Sequence, residues 1–233
     1  MPDTELILGI GGDGTILHIA RIVASFAVPI LGINLGRLGF ITEMDGDEVL
    51  SRLPDLLKGR GRIEERAMLE AQVEERTFQA LNDVVLRSVA VRLVNIEAEV
   101  DGTPVTTYRA DGIIAATATG STSYSLASGG PILHPQSKEI VLQPISCHLG
   151  LSHALVLPPQ SVLDLKVARR EKVVLSMDGQ VEVRLSDGQN VRVKLSPYTA
   201  RFLRIHEPTY FYGSLWEKLG GSEKKVDRNS GRT

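Results

Sequence analysis

Short apolar runs broken by glycines set the pattern of the first sixty residues. Residues 6–10 read as a strand, and residues 16–26 carry apolar side chains at helical spacing. Residues 28–34 read as a second strand with Pro29 at its start, and residues 47–58 as a second helix. Alternation of this kind predicts a parallel sheet covered by helices. From residue 62 the texture changes to short strands, expected at 69–75, 80–87, 95–100 and 103–108, with Asp101-Gly102 as a hairpin turn. A helix is expected at 121–128, between the break at Gly120 and Gly129-Gly130-Pro131. Strands follow at 140–145, 162–167, 172–176, 181–185, 191–195 and 201–205, some separated by the turn pairs Asp178-Gly179 and Asp187-Gly188. The fold class expected is α/β plus all-β. An N-terminal α/β domain would cover 1–90, with 206–219 as a segment that could rejoin it, and a β-rich domain 91–205. The tail 220–233 is polar, lacks apolar periodicity and reads as disordered.

Composition narrows the partners. The 233 residues are 42% hydrophobic and 23% charged, ordinary for a soluble globular chain. With 26 basic against 28 acidic residues the net charge is −2, so there is no global attraction to nucleic acid or to an anionic membrane. The single cysteine, Cys147, excludes an internal disulfide and fits a reducing compartment. No apolar run reaches the ~20 residues of a membrane span, and the start shows no secretory pattern. The expectation is a cytoplasmic protein with no membrane or nucleic-acid partner.

Gly11-Gly12-Asp13-Gly14-Thr15 lies where the first strand gives way to the first helix. Such a junction exposes backbone N–H groups at a helix N-terminus, where partial positive charge attracts phosphate, and glycines let a ligand approach the backbone. Asp13 is the odd member, because a carboxylate repels phosphate; a metal ion, or a hydroxyl that must lose its proton, makes it useful. Gly9 to Gly14 also satisfies the dinucleotide pattern G-x-G-x-x-G, but the acid that should follow at the end of the second strand is replaced by Asn34. No lysine lies in the turn, so the nucleoside-triphosphate loop that ends in Gly-Lys-Ser/Thr is absent too. His18, one helical turn past Gly14, either faces whatever the loop holds or is a solvated helix residue.

Residues 117–125 hold six serines and threonines in nine positions, broken by Gly120. Ser121 or Thr122 could cap the helix; so many hydroxyls in succession suit a ribose or phosphate. Six aspartates precede a glycine: Asp13, Asp45, Asp101, Asp111, Asp178 and Asp187. For Asp45, Asp101 and Asp187 the turn reading is preferred. Asn82-Asp83 lies inside an apolar strand, where a polar pair is costly unless it meets a ligand or caps a backbone turn, and both readings stay open. His134, His148, His153 and His206 show no metal-ligand spacing.

In order, Gly11 to Thr15, Asn82-Asp83, Thr119-Gly120-Ser121-Thr122 and Ser128-Gly129-Gly130-Pro131 resemble the signatures of the NAD kinases, over about residues 6–203. The resemblance implies an N-terminal Rossmann-like nucleotide-binding domain and a C-terminal β-rich, sandwich-like domain. A strand–helix unit usually precedes the first signature; only ten residues precede Gly11, so the N-terminal domain is expected to be truncated. The implied reaction moves a phosphoryl group from ATP or polyphosphate to the 2′-hydroxyl of the adenosine ribose of NAD, giving NADP. By similarity Asp13 is the general base, and Gly14 and His18 line the nucleotide. Asn82 and Asp83 contact a ribose or adenine, and Arg109 and Asp111 approach the nicotinamide half. Thr119 and the run Thr122, Ser123, Tyr124 and Ser125 hold the adenosine, and Gln180 closes the pocket. Mg2+ is expected to arrive on the donor's phosphates, with no metal cage in the protein. A homodimer or homotetramer is implied. Ala118, Ser123 and Ser152-His153-Ala154 depart from the family pattern, and Asp83 replaces a commoner glutamate. The first signature is shared with lipid and sphingoid-base kinases, which do not account for Asn82-Asp83 or the hydroxyl run. A catalytically silent NAD-binding protein is the reading from another class.

Overall fold

The computed structural model describes residues 3–36, 39–168 and 171–219; the tail expected at 220–233 lies outside them. The chain opens with β1 (Ile7–Ile10), α1 (Asp13–Val23, continued by a 3-10 turn, Ala24–Phe26), β2 (Ile30–Asn34), a short β3 (Met44–Asp45) and α2 (Gly46–Leu57). β1 and β2 pair in parallel from Ile7↔Ile30 to Ile10↔Ile33. α1 buries Ile16, Leu17, Ala20 and Val23, one face at helical spacing, in a cluster that includes Ile30, Met68, Leu81 and Phe202. It begins three residues earlier than expected, because Gly12 caps it through the backbone and Asp13 favours the positive end of the helix.

Thirteen further elements follow. They are β4 (Arg62–Val73), β5 (Arg76–Ala80), β6 (Asp83–Ser88), β7 (Val94–Val100), β8 (Thr103–Ala110), β9 (Gly112–Ala116), α3 (Tyr124–Ala127), β10 (Ile140–Ile145), β11 (Leu155–Leu157), β12 (Leu163–Val167), β13 (Val173–Met177), β14 (Val181–Leu185) and β15 (Asn190–Arg204). A last helix, α4 (Tyr210–Lys218), returns to the N-terminal strands, with the Lys218 ammonium over the Phe40 ring.

Among the described residues there are two sheets. One has the order β1-β2-β15-β12-β7-β8, with β3 beside β2 and the β4–β5 hairpin beside β15. The other has the order β11-β10-β9-β6-β13-β14 and is antiparallel throughout. Their inner faces meet in one core. Leu69, Ile96, Leu165 and Val193 come from the first sheet, and Leu86, Ile113, Leu142 and Leu175 from the second. This is the expected class, a parallel start followed by a sandwich of strands. β15 joins the two, pairing with β12 at one end and in parallel with β2 at Phe202↔Ile30.

Several expected boundaries shift. The strand expected at 80–87 divides at Leu81-Asn82, where the chain passes from one sheet to the other. The strands expected at 191–195 and 201–205 are one, with a register shift between Leu195 and Thr199 around Pro197, which has no N–H for the ladder. β3, β5, β9, β11 and α4 have no counterpart among the elements the sequence pattern predicts. The helix expected at 121–128 is a 3-10 turn, Gly120–Thr122, plus the four residues of α3.

Candidate active site

Where β1 ends, Gly11 turns with φ +149°, a region that suits glycine, and its N–H donates to the Ile33 carbonyl at 2.9 Å. Asp13 follows as the first residue of α1. Its Oδ2 accepts the Phe40 N–H at 2.8 Å; its Oδ1 accepts those of Ile41 at 3.1 Å and Thr42 at 3.3 Å. One carboxylate thus ties the loop after β1 to the loop after β2, at the carboxyl ends of parallel strands, where ligands enter open α/β sheets. The second loop is braced from below. Arg204 donates through Nη1 to the Ile41 carbonyl at 2.7 Å and to Glu43 at 3.0 Å, and through Nε to Glu64 at 3.0 Å; Arg66 also holds Glu64 at 2.8 Å. Burial pushes the Glu64 carboxyl up, but Arg204 and Arg66 outweigh it and bring it to about 2.

The second constellation gathers where β5 passes into β6. The Asn82 carbonyl accepts the Thr117 N–H at 2.9 Å, and Thr117 Oγ1 donates to the Leu81 carbonyl at 2.6 Å. Gly120 presses so closely on Asn82 that a Cβ would lie 2.0 Å from its carbonyl oxygen. The hydroxyl run divides in two. Thr117, Ser121 and Thr122 bond the local backbone, Ser121 Oγ donating to the Ala118 carbonyl at 2.6 Å and Thr122 Oγ1 to that of Thr119 at 3.1 Å. Thr119 Oγ1, Ser125 Oγ and Asn82 Oδ1 are buried without a hydrogen-bond partner. Buried polar atoms are normally paired, and these three, all from motifs singled out in the sequence, are not. A cleft adjoins Asn82, lined also by Leu17, Asp83, Ser123, Tyr124 and Asp178.

Asp83 is 5% exposed. Burial, and after it the charge of Asp178, pushes its carboxyl from 3.8 up to about 7. A carboxyl that holds its proton more tightly when folded favours the folded state below pH 3.8, and that contribution fades as pH rises through 7. Asp83→Asn removes the titration. It is expected to melt above the wild type at about pH 8 and to lose that margin toward about pH 4. Thermal melts of both proteins across that range read the effect.

Other expected residues are distributed around this centre. Gln180 spans the junction, donating through Nε2 to the Gly14 carbonyl at 2.7 Å and accepting from Arg21 Nη2 at 2.6 Å. His18 is exposed and faces a neighbouring groove with Arg21, Ile22, Phe78 and Met177, outside the cleft that Asn82 lines. Arg109 and Asp111, both exposed, lie near the far end of the sheet. Asp83 pairs with Ala116 and Arg87 with Gly112, and Thr117 bonds Asn82, so Asp111 is about 20 Å from the Asn82 end along β9. Two participants were not singled out from sequence. Residues 40–42 occupy the second loop at the carboxyl end of the parallel strands, a position the strand–helix alternation could have flagged. Asp178 was read as a turn. Its carboxylate is wholly removed from solvent and accepts the N–H groups of Leu81 at 3.0 Å, Asn82 at 2.7 Å and Asp83 at 3.1 Å.

Comparison with known proteins identifies the family of the chain. Residues 2–61 match the ATP-NAD kinase N-terminal domain and residues 81–205 the ATP-NAD kinase C-terminal domain. An NAD kinase of Dehalococcoides mccartyi is 42% identical over 233 residues, covering 97% of this chain and 82% of that protein. One of Moorella thermoacetica is 42% identical over 236 residues, covering 98% and 76%. The crystal structure of yeast NADH kinase complexed with NADH superimposes with a TM-score of 0.85 at 29% identity, covering 98% of this chain and 68% of that one. An NAD kinase from Archaeoglobus fulgidus in complex with ATP gives 0.79 at 25% identity, covering 94% and 84%. A glycine–aspartate loop, an Asn-Asp break and a half-spent hydroxyl run, meeting on this fold, place the chain in the NAD kinase family.

Proposed function

We propose that Asp13 takes the proton from the 2′-hydroxyl of the adenosine ribose of NAD while that oxygen accepts a phosphoryl group from ATP or polyphosphate. The O–H bond breaks toward the carboxylate, a new O–P bond forms, and the bond to the leaving phosphate breaks, giving NADP. The carrying observation is the Asp13 carboxylate at the carboxyl edge of β1 and β2. Its three N–H bonds fix the side chain's orientation, and only one of them goes to Oδ2. Each carboxylate oxygen has two lone-pair sites, so Oδ2 keeps one for the incoming proton. Phosphoryl transfer depends chiefly on positioning and charge stabilisation, and a fixed base supplies part of both.

Thr119, Ser125 and Asn82 supply the unpaired polar atoms for the adenosine, and Asp83, Thr122, Ser123 and Tyr124 line the same end. Gly14 flanks the nucleotide from α1, His18 stands in the groove beside it, and Gln180 closes the junction. Asp111, about 20 Å away along β9, and Arg109 beside it are assigned to the nicotinamide half of an extended dinucleotide. Among the described residues no group of three histidine, cysteine or carboxylate side chains could hold a metal ion. The donor's phosphates are therefore the natural ligands of Mg2+, which would offset the repulsion between phosphate and carboxylate. The homodimer or homotetramer implied by the resemblance is read by light scattering. No helix among the described residues is long and apolar enough to cross a membrane.

Incubation with NAD, Mg2+ and either ATP or polyphosphate, followed by detection of NADP, tests the proposal. NADP formation supports it. NAD affinity without turnover would make it a silent binder.

A further inference from the structure

The Asp-Gly turn between β13 and β14 holds a carboxylate that a turn does not need. Asp178 and Gly179 take φ +53° and +65°, the two-residue hairpin geometry that asparagine or glycine serves without charge. A carboxylate removed from water is costly unless it is bonded. Asp178 accepts the three consecutive N–H groups of residues 81–83, and its own N–H donates to the Asp83 carbonyl at 3.0 Å. On its other side Arg21 Nε lies 3.8 Å from Oδ2. Arg21 is on α1, eight residues after Asp13 and so about 12 Å along the helix. Its Nη2 is bonded to Gln180, two residues past Asp178.

We propose that Asp178 is a positioning residue for the nucleotide: it holds the backbone of Asn82 and Asp83 and, through Arg21, ties that pair to the helix that carries Asp13. This rests on the reading that the dinucleotide occupies the cleft lined by Asn82 and Asp83. Two nucleotide-facing segments, far apart in sequence, then keep their spacing through one buried ion pair. The charge has a second effect, because burial and Asp178 together hold the Asp83 carboxyl at about 7. The other charged or titratable groups around the pair are Arg21 from α1 with His18 behind it, Tyr124 from α3, and Arg87 and Glu182, joined at 3.3 Å at the cleft mouth.

Steady-state NADP formation against pH, for the wild type, Asp178→Asn and Arg21→Met, tests the proposal. Asp178→Asn is expected to raise the KM for NAD about tenfold or more, the scale of a lost bond to a charged group, with kcat changed less. Its kcat/KM inflection near pH 7 should move to lower pH, because Asp83 loses a neighbouring negative charge. Arg21→Met should move the inflection to higher pH. A merely structural role would lower the melting temperature or the active fraction and leave the inflection at its wild-type position; that result for the folded variants overturns the proposal. If Asp178→Asn does not fold, Arg21→Met decides alone. If the wild type makes no NADP, the kinase reading fails, and calorimetry with NAD at about pH 6 and pH 8 carries the same comparison of variants.

Discussion

Asp13→Asn is expected to cut the rate of NADP formation by about 10²–10⁴-fold, the usual worth of a positioned base. The KM for NAD should change far less, since the groups proposed to hold the adenosine belong to other segments of the chain. The variant also probes the loop contact. An amide keeps one acceptor oxygen, enough for the Ile41 and Thr42 N–H groups, but turns its NH2 toward the Phe40 N–H. That mismatch costs about 1–3 kcal/mol, so the protein should fold and melt somewhat lower. Initial rates at saturating NAD and a thermal melt separate the two effects. A rate within tenfold of the wild type would remove Asp13 from the role of base.

Gly120→Ala is expected to be the most disruptive single-methyl change in the site. Its Cβ would lie 2.0 Å from the Asn82 carbonyl oxygen and 2.9 Å from the Asn82 Cα. The obstacle is backbone, so no rotamer relieves it. The break between β5 and β6 must move away from the hydroxyl run, and the Thr117 bonds to Leu81 and Asn82 go with it. The cost should be about 3 kcal/mol or more, near 10 °C of melting temperature for a chain of this size, with loss of NAD affinity. Gly12→Ala is the control. Its Cβ meets nothing within 4 Å and its φ is −79°, so its melting temperature should stay close to the wild type. A Gly120→Ala protein that melts within a few degrees of that control would show that the contact yields easily.

Sequence and structure agree best where one local rule governs. β1, α1, β2 and α2 are legible because apolar periodicity and glycine breaks mark them without help from distant residues. β9 is not. Gly-Ile-Ile-Ala-Ala is short and small, and its meaning as a central strand comes from β6 and β10, which flank it. β15 reads as two strands because Ser196-Pro197 interrupts the pattern, and only its partner β4 shows that the ladder resumes. Asp13, Asn82 and Asp83 are legible as anomalies, a carboxylate in a phosphate loop and a polar pair in an apolar strand. The aspartates before glycine are not separable by sequence. Asp45 caps α2, accepting the Asp47 and Glu48 N–H groups, and Asp101 receives the Val162 N–H at a hairpin. Asp178 holds the nucleotide motif. The local pair is the same, and what differs is a partner about a hundred residues away. The hydroxyl run shows the same limit, since nothing in residues 117–125 tells which oxygens the backbone will consume.

β15 has a mechanical consequence. Its fifteen residues, about 50 Å if fully extended, are laced to the antiparallel half at one end and to the parallel half at the other, with the register shift around Pro197 between them. Any relative movement of the two halves has to bend this shared strand, and the place where its ladder gives way is the bulge around Pro197.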